Sequence, residues 1–282
     1  MKRITIIFLL VWGFSFAQNP QAYQIFNAKG QKTDYTKLLK QAQKQEIVLF
    51  GEYHDNAIIH WLQWVLTRDL HKNHQLVLGA EMFEADNQQA LNQYISGEIN
   101  QKGLDTLARL WSNYKTDYKP LVDFAKEHQL SFVATNIPRR YASMVFKGDF
   151  EALESLTEEE KSWIAPLPIL YDENLLGYKA MLEMMGGHAG PTLPKAQAIK
   201  DATMAHFILY NRKPNSIFLH YHGTYHSDNY EGIYWYLKQQ QPDLKVMTIA
   251  TVTQANLKKL ESEHFGKADF IIVVDENVTK TY

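Results

Sequence analysis

Six short runs rich in Val, Ile, Leu and Phe punctuate this chain, at 46–52, 76–82, 131–136, 216–222, 246–252 and 269–275. Continuous apolar runs of this length are what strands buried on both faces require. Helical patterns lie between several of them. Residues 56–72 set Ile58, Ile59, Leu62, Val65, Leu66 and Leu70 on one 3.6-residue stripe, with Asp55 or Asn56 available as N-cap. Further helices are expected at 118–129, 195–211 and 229–240. The alternation predicts an α/β fold: a mainly parallel sheet flanked by helices. The stretches 84–118 and 138–212 carry no strand pattern and read as helical insertions. The second contains breaks at Trp163–Pro168 and Gly186–Pro191, which bracket a helix from Tyr171 to Met185 carrying Tyr178, Met181, Met184 and Met185.

The first 17 residues stand apart from that core. Lys2 and Arg3 precede the apolar stretch Ile4–Phe16, and Ser15 and Ala17 occupy small-residue cleavage positions before Gln18. This is the pattern of a secretory signal peptide, too short to span a bilayer comfortably. The mature domain is expected at 18–282, exported from the cytoplasm. It would carry 27 basic against 31 acidic residues and no Lys/Arg block, which argues against nucleic acid as a partner. The absence of cysteine excludes disulfides, thiolate metal sites, a Cys nucleophile and a lipid-accepting Cys at the cleavage site.

Two turns of one pattern end apolar runs. Gly51-Glu52-Tyr53-His54 follows 47–50, and Gly223-Thr224-Tyr225-His226 follows 217–219. Open α/β sheets bind ligands beyond the carboxyl ends of their strands, so both histidines are expected at one mouth. Glu52 and His54 have the chemistry of acid–base partners or metal ligands. Asp55 caps the following helix or joins them. Glu81 ends a strand as Glu52 does. Adjacent strands would set the two carboxylates side by side, repelling unless a proton or cation lies between them. Arg139 and Arg140 are candidates for that cation, or for a structural bridge to a glutamate. Asp201, between Ala198 and Ala205 at helical spacing, is expected to be close-packed and paired. His220, His222 and His226 form the densest imidazole cluster. With His54 and Glu81, His222 and His226 make a candidate Zn set, and hence a metal-dependent hydrolase reading. The other histidines, His60 among them, read as surface or helix-end residues. No Gly-x-Ser-x-Gly elbow, P-loop, dinucleotide fingerprint or His-Glu-x-x-His is present.

Five motifs in order resemble ChaN-type haem-uptake proteins of the Tiki superfamily, which also holds TraB proteins and erythromycin esterases. They are Gly51-Glu52-x-His54-Asp55-Asn56, Glu81-Met82-Phe83 with Gln88, Asn136-Ile137-Pro138-Arg139, Asp201-Ala202-Thr203-Met204-Ala205 and Gly223-x-x-His226. The resemblance runs from about residue 45 to 240. It implies an exported, iron-regulated α/β protein, periplasmic or associated with the outer membrane, that binds haem as a homodimer with haem at the interface and exchanges it with an outer-membrane receptor. The superfamily's paired Gly-x-x-His turns and glutamate fall on His54, His226 and Glu81. Tyr, His and Met all serve as axial ligands of haem iron, so the Met-rich helix offers Tyr178, Met185 and His188 as candidate haem-binding residues.

Overall fold

The computed structural model describes residues 21–184 and 190–282. The signal-peptide positions, Met185 and His188 therefore lie outside the described residues. In chain order the elements are β1 (Tyr23–Asn27), β2 (Lys32–Thr33), α1 (Tyr35–Ala42), β3 (Ile47–Glu52), α2 (Ala57–His71), β4 (Gln75–Glu84), α3 (Gln88–Ser96), α4 (Gln101–Leu107), α5 (Lys119–Glu127) and β5 (Ser131–Asn136). They continue with α6 (Arg139–Gly148), α7 (Glu158–Lys161), α8 (Leu176–Met184), α9 (Thr192–Asn211), β6 (Ser216–Gly223), α10 (Gly232–Gln240), β7 (Val246–Gln254) and β8 (Phe270–Asp275).

The strands form one eight-stranded sheet in the order β2-β1-β8-β7-β3-β6-β4-β5. The six runs read from sequence are its parallel strands, β3 to β8. β1 joins β8 antiparallel and β2 closes that edge. This hairpin and α1 went unassigned in the sequence because the runs are short and half polar.

Side chains alternate across a strand, and the two cores follow that rule. Val48 and Phe50 of β3, Leu78 and Ala80 of β4 and Leu219 and Tyr221 of β6 pack under α2, α3 and α5. Ile47, Leu49, Val77 and Phe218 point the other way, under α9 and α10. The insertion at 138–212 has its own small core, in which Tyr141, Val145 and Leu153 meet Ile199 of α9. Asn56 caps α2 by accepting from the amides of Ile58 and Ile59, the device that ends the Gly51 turn.

Candidate functional site

Glu52 and Glu81 are not neighbours. β6 lies between β3 and β4, so Gly223 separates them. Strand parity also sends them to opposite faces. Glu52 follows Val48 and Phe50 toward α2, whereas Glu81 follows Val77 toward α9. Each carboxylate has acquired its own histidine instead of sharing an arginine. His54 Nδ1 lies 2.8 Å from Glu52 Oε1, and His226 Nε2 lies 3.1 Å from Glu81 Oε1. The expected Arg139 and Arg140 play no part: both are exposed at the end of the edge strand β5, and Arg140 pairs with Asp86 at 2.7 Å.

The Glu52 half is walled by residues that the sequence reading missed. The Tyr118 hydroxyl donates to Glu52 Oε1 at 2.7 Å and Gln63 Nε2 donates to Oε2 at 2.5 Å. His60 is buried rather than superficial, with Nε2 at 3.0 Å from the His54 carbonyl. A signal was present: His60, Gln63 and Thr67 make a polar stripe at i, i+3 and i+7 beside the apolar stripe of α2, and all three are buried. Polar groups survive burial only with partners. Burial pushes the Glu52 carboxyl up, but the His54 hydrogen bond and the nearby His60 outweigh it and hold it below the usual range. Burial pushes the His54 imidazole down, and the Glu52 contact and the Glu81 charge more than reverse this.

The Glu81 half continues into α9 and α8. His226 Nδ1 lies 2.5 Å from Asp201 Oδ1, and Gln197 Nε2 approaches the same nitrogen at 2.9 Å. The backbone amide of Gly223 donates to Glu81 Oε2 at 2.7 Å. Burial disfavours the His226 cation, yet Glu81 and Asp201 on either side raise its pKa to about 10. Glu81 is correspondingly held well below the carboxylate range against the opposing effect of burial. Asp201 is raised, because burial dominates there. As its small-residue face suggested, Asp201 is close-packed and paired.

The Tyr178 hydroxyl donates to Asp201 Oδ2 at 3.1 Å, and its ring stacks on Tyr171 with centroids 5.5 Å apart. Tyr178 is thus an outer member of the polar site in this conformation. Burial and the Asp201 charge push its phenol far above the ordinary value, so a phenolate is disfavoured while that bond stands.

His220 and His222 do not join His226. They stack on each other with their Nδ1 atoms 3.1 Å apart, His220 reaching Thr135 and His222 reaching Ser227. Burial pushes both below the ordinary imidazole value, His222 to about 3. The candidate Zn set of His54, Glu81, His222 and His226 is therefore not assembled. Among the described residues, the three-donor group within metal-binding reach is Glu261, Glu263 and His264, elsewhere on the surface.

A cavity of about 710 Å³ opens over the two Gly-x-x-His turns, with Glu52, His54, Gly223, Gln197 and His226 in its lining. Among the described residues, His54 Nε2 is the one carboxylate or imidazole heteroatom of the Glu52–His54 and Glu81–His226–Asp201 groups that has no hydrogen-bond partner. The site can therefore offer a ligand one imidazole nitrogen, backed by a fixed buried cation at His226. Glycine at 223 makes the approach possible, since a Cβ there would lie 2.9 Å from His54 Nε2.

Comparison with known proteins now decides the family. The family model described as haem-binding uptake, Tiki superfamily, ChaN matches residues 38–237. The chain belongs to the ChaN family of haem-binding uptake proteins. Its fold is similar to the ChaN structure of Campylobacter jejuni, described as showing cofacial haem binding, with a TM-score of 0.63 and 18% identity over 89% of this chain and 96% of that one. A succinoglycan biosynthesis protein follows with TM-score 0.56 and 12% identity, covering 90% of this chain and 96% of its own. A Bacillus cereus protein reaches 0.53 and 12%, covering 90% and 95%. At these identities the solved structures speak for the fold alone. No curated protein matches the chain.

Proposed function

We propose that this protein binds haem as cargo after export, in the periplasm or at the outer membrane, and passes it along an iron-uptake route. The observation that carries the reading is the match to the haem-binding uptake family over residues 38–237. The cargo is placed on the α8 side of the helical insertion. Leu170, Leu176 and Leu182 are exposed there, which suits the flat apolar face of a porphyrin. Two copies meeting through this surface would enclose the cargo between them, and an outer-membrane haem receptor is the partner that fits such a carrier.

The fit of Tyr178 is conditional. Its donor chemistry suits iron, but its hydroxyl is engaged by Asp201 and buried. A ligand role requires α8 to leave Asp201. Met185 and His188 follow directly on α8 in sequence and are the other donors to test.

The test is a haem titration of residues 18–282, read by absorbance and size-exclusion chromatography. Saturation near one haem per chain with a shift to dimer is expected. The His188→Ala and Tyr178→Phe variants then identify the ligand by a changed spectrum. Weak, non-saturating uptake by the wild-type protein would refute the haem reading.

A further inference from the structure

The chain does not end at β8. Residues 276–282 turn back along the mouth of the 710 Å³ cavity, and Glu276, Val278, Lys280 and Tyr282 line it together with His54 and His226. This strap is tied to the turn that follows His54. Lys280 pairs with Asn56 as an isolated antiparallel bridge. The Thr281 amide donates to the Asp55 carbonyl at 2.9 Å, and Lys280 Nζ lies 2.7 Å from Asp55 Oδ2.

A second latch reaches the same turn from beneath. The Thr281 hydroxyl donates to Asp117 Oδ2 at 2.9 Å. Asp117 Oδ2 also accepts from Asn113 at 2.8 Å. Asn113 in turn donates to the His54 carbonyl at 3.0 Å. The strap therefore closes a ring of contacts around the backbone that carries the imidazole facing the cavity.

The outer latch is of the kind that opens easily. The Lys280–Asp55 pair is exposed and adds little. The strap makes one bridge rather than a ladder, Tyr282 is 64% exposed, and its inward contacts are Val278 against the main core and the Thr281 hydroxyl on the buried Asp117. Segments with few buried contacts and exposed hydrogen bonds open at low free energy. A wall built this way over a half-buried imidazole has the construction of a gate.

We propose that residues 276–282 are a displaceable wall of the cavity, latched to Asp55 and Asp117, and that unlatching them is what admits molecules to His54 Nε2. This does not depend on the haem reading.

The chain has no cysteine, so a pair introduced by Asn56→Cys and Lys280→Cys can form only one disulfide. Facing residues of an antiparallel bridge lie within disulfide reach. The probe is diethyl pyrocarbonate, which acylates accessible imidazole nitrogen. Modification of His54 is read by peptide mass spectrometry and normalised to His74, just before β4 at the opposite end of the sheet. The loosened protein, Lys280→Ala with Thr281→Ala, is expected to raise the His54:His74 ratio about tenfold, the effect of losing roughly one net hydrogen bond. In the cysteine pair the oxidised form should react more slowly at His54 than the reduced form, with dithiothreitol restoring the rate. Loss of the Asn56 cap is common to both forms and cancels. Equal ratios in the oxidised and reduced forms overturn the proposal, whatever the loosened protein does.

Discussion

The two histidine groups titrate in opposite directions, so stability should peak near pH 6.5 and fall on either side. His226 sits between Glu81 and Asp201 with its pKa raised to about 10. A raised imidazole contributes stability that is complete below its unfolded value near 6.5 and is lost as pH rises toward the folded one. The slope is about 1.4 kcal/mol per pH unit for one group. His220 and His222 are fully buried, neutral and depressed, His222 to about 3. The unfolded chain protonates both below 6.5 and the folded chain does not, so stability falls with acid. Two groups give about 2.7 kcal/mol per unit. Asp201, raised by burial, acts in the opposite sense and trims this limb. Urea midpoints measured at pH 5, 6.5, 8 and 9 would trace both limbs. The His226→Gln variant should lose most of the alkaline limb, keeping only the part that the raised His54 imidazole contributes, and should keep the acid one. It should also lose about 3–5 kcal/mol of stability at pH 7, because two buried carboxylates are left without their cation. A midpoint that is flat from pH 6.5 to 9 in the wild type, or an alkaline limb that survives His226→Gln undiminished, would refute the assignment of a buried imidazolium.

Glu52→Gln keeps the shape, and its amide oxygen can still accept from Gln63, but its NH2 replaces the acceptor that Tyr118 and His54 share and the charge that holds up His54 is gone. The His54 imidazole resonance should then titrate at lower pH, and an unchanged midpoint would mean that Glu52 does not control it. Gly51→Ala would set a Cβ 2.7 Å from the Thr224 Cα and 2.9 Å from the Ile249 carbonyl oxygen, both backbone atoms that cannot swing aside. A loss of about 1–3 kcal/mol in urea unfolding is expected from such overpacking, against little change for Leu107→Ala on the surface.

Much of this architecture was legible because apolar run length and helical period are local signals. All six parallel strands fall where the runs of Val, Ile, Leu and Phe lie, and α2 begins at the Asn56 cap. The mouth of the sheet was also legible: both Gly-x-x-His turns line one cavity. Strand order was not. Placing Glu52 beside Glu81 assumed that β3 and β4, consecutive in sequence, pair with each other. β6 enters between them, and no local pattern announces an inserted strand that begins 164 residues after β3 ends. The arginines followed from that error, since two adjacent carboxylates would have demanded a cation.

The order of strands also explains why the site has this chemistry. With β6 between the two carboxylates, strand parity directs one to each face of the sheet, and each must be satisfied there separately. On the α2 face the partners are His54, Gln63 and Tyr118; on the α9 face they are His226 and the Gly223 amide. The donors of each half are bonded within that half, His54 to Glu52 and His226 to Glu81 and Asp201, rather than turned toward a common point. Two separate carboxylate–imidazole pairs meeting above one glycine are what this topology permits. One of them, His226, is locked by bonds on both ring nitrogens. The other, His54, keeps Nε2 free toward the cavity. A haem-bound protein whose His54 still reacts with diethyl pyrocarbonate would place cargo and cavity at separate sites. Protection of His54 by haem would instead bring them together and move the cargo from α8 to the strand ends.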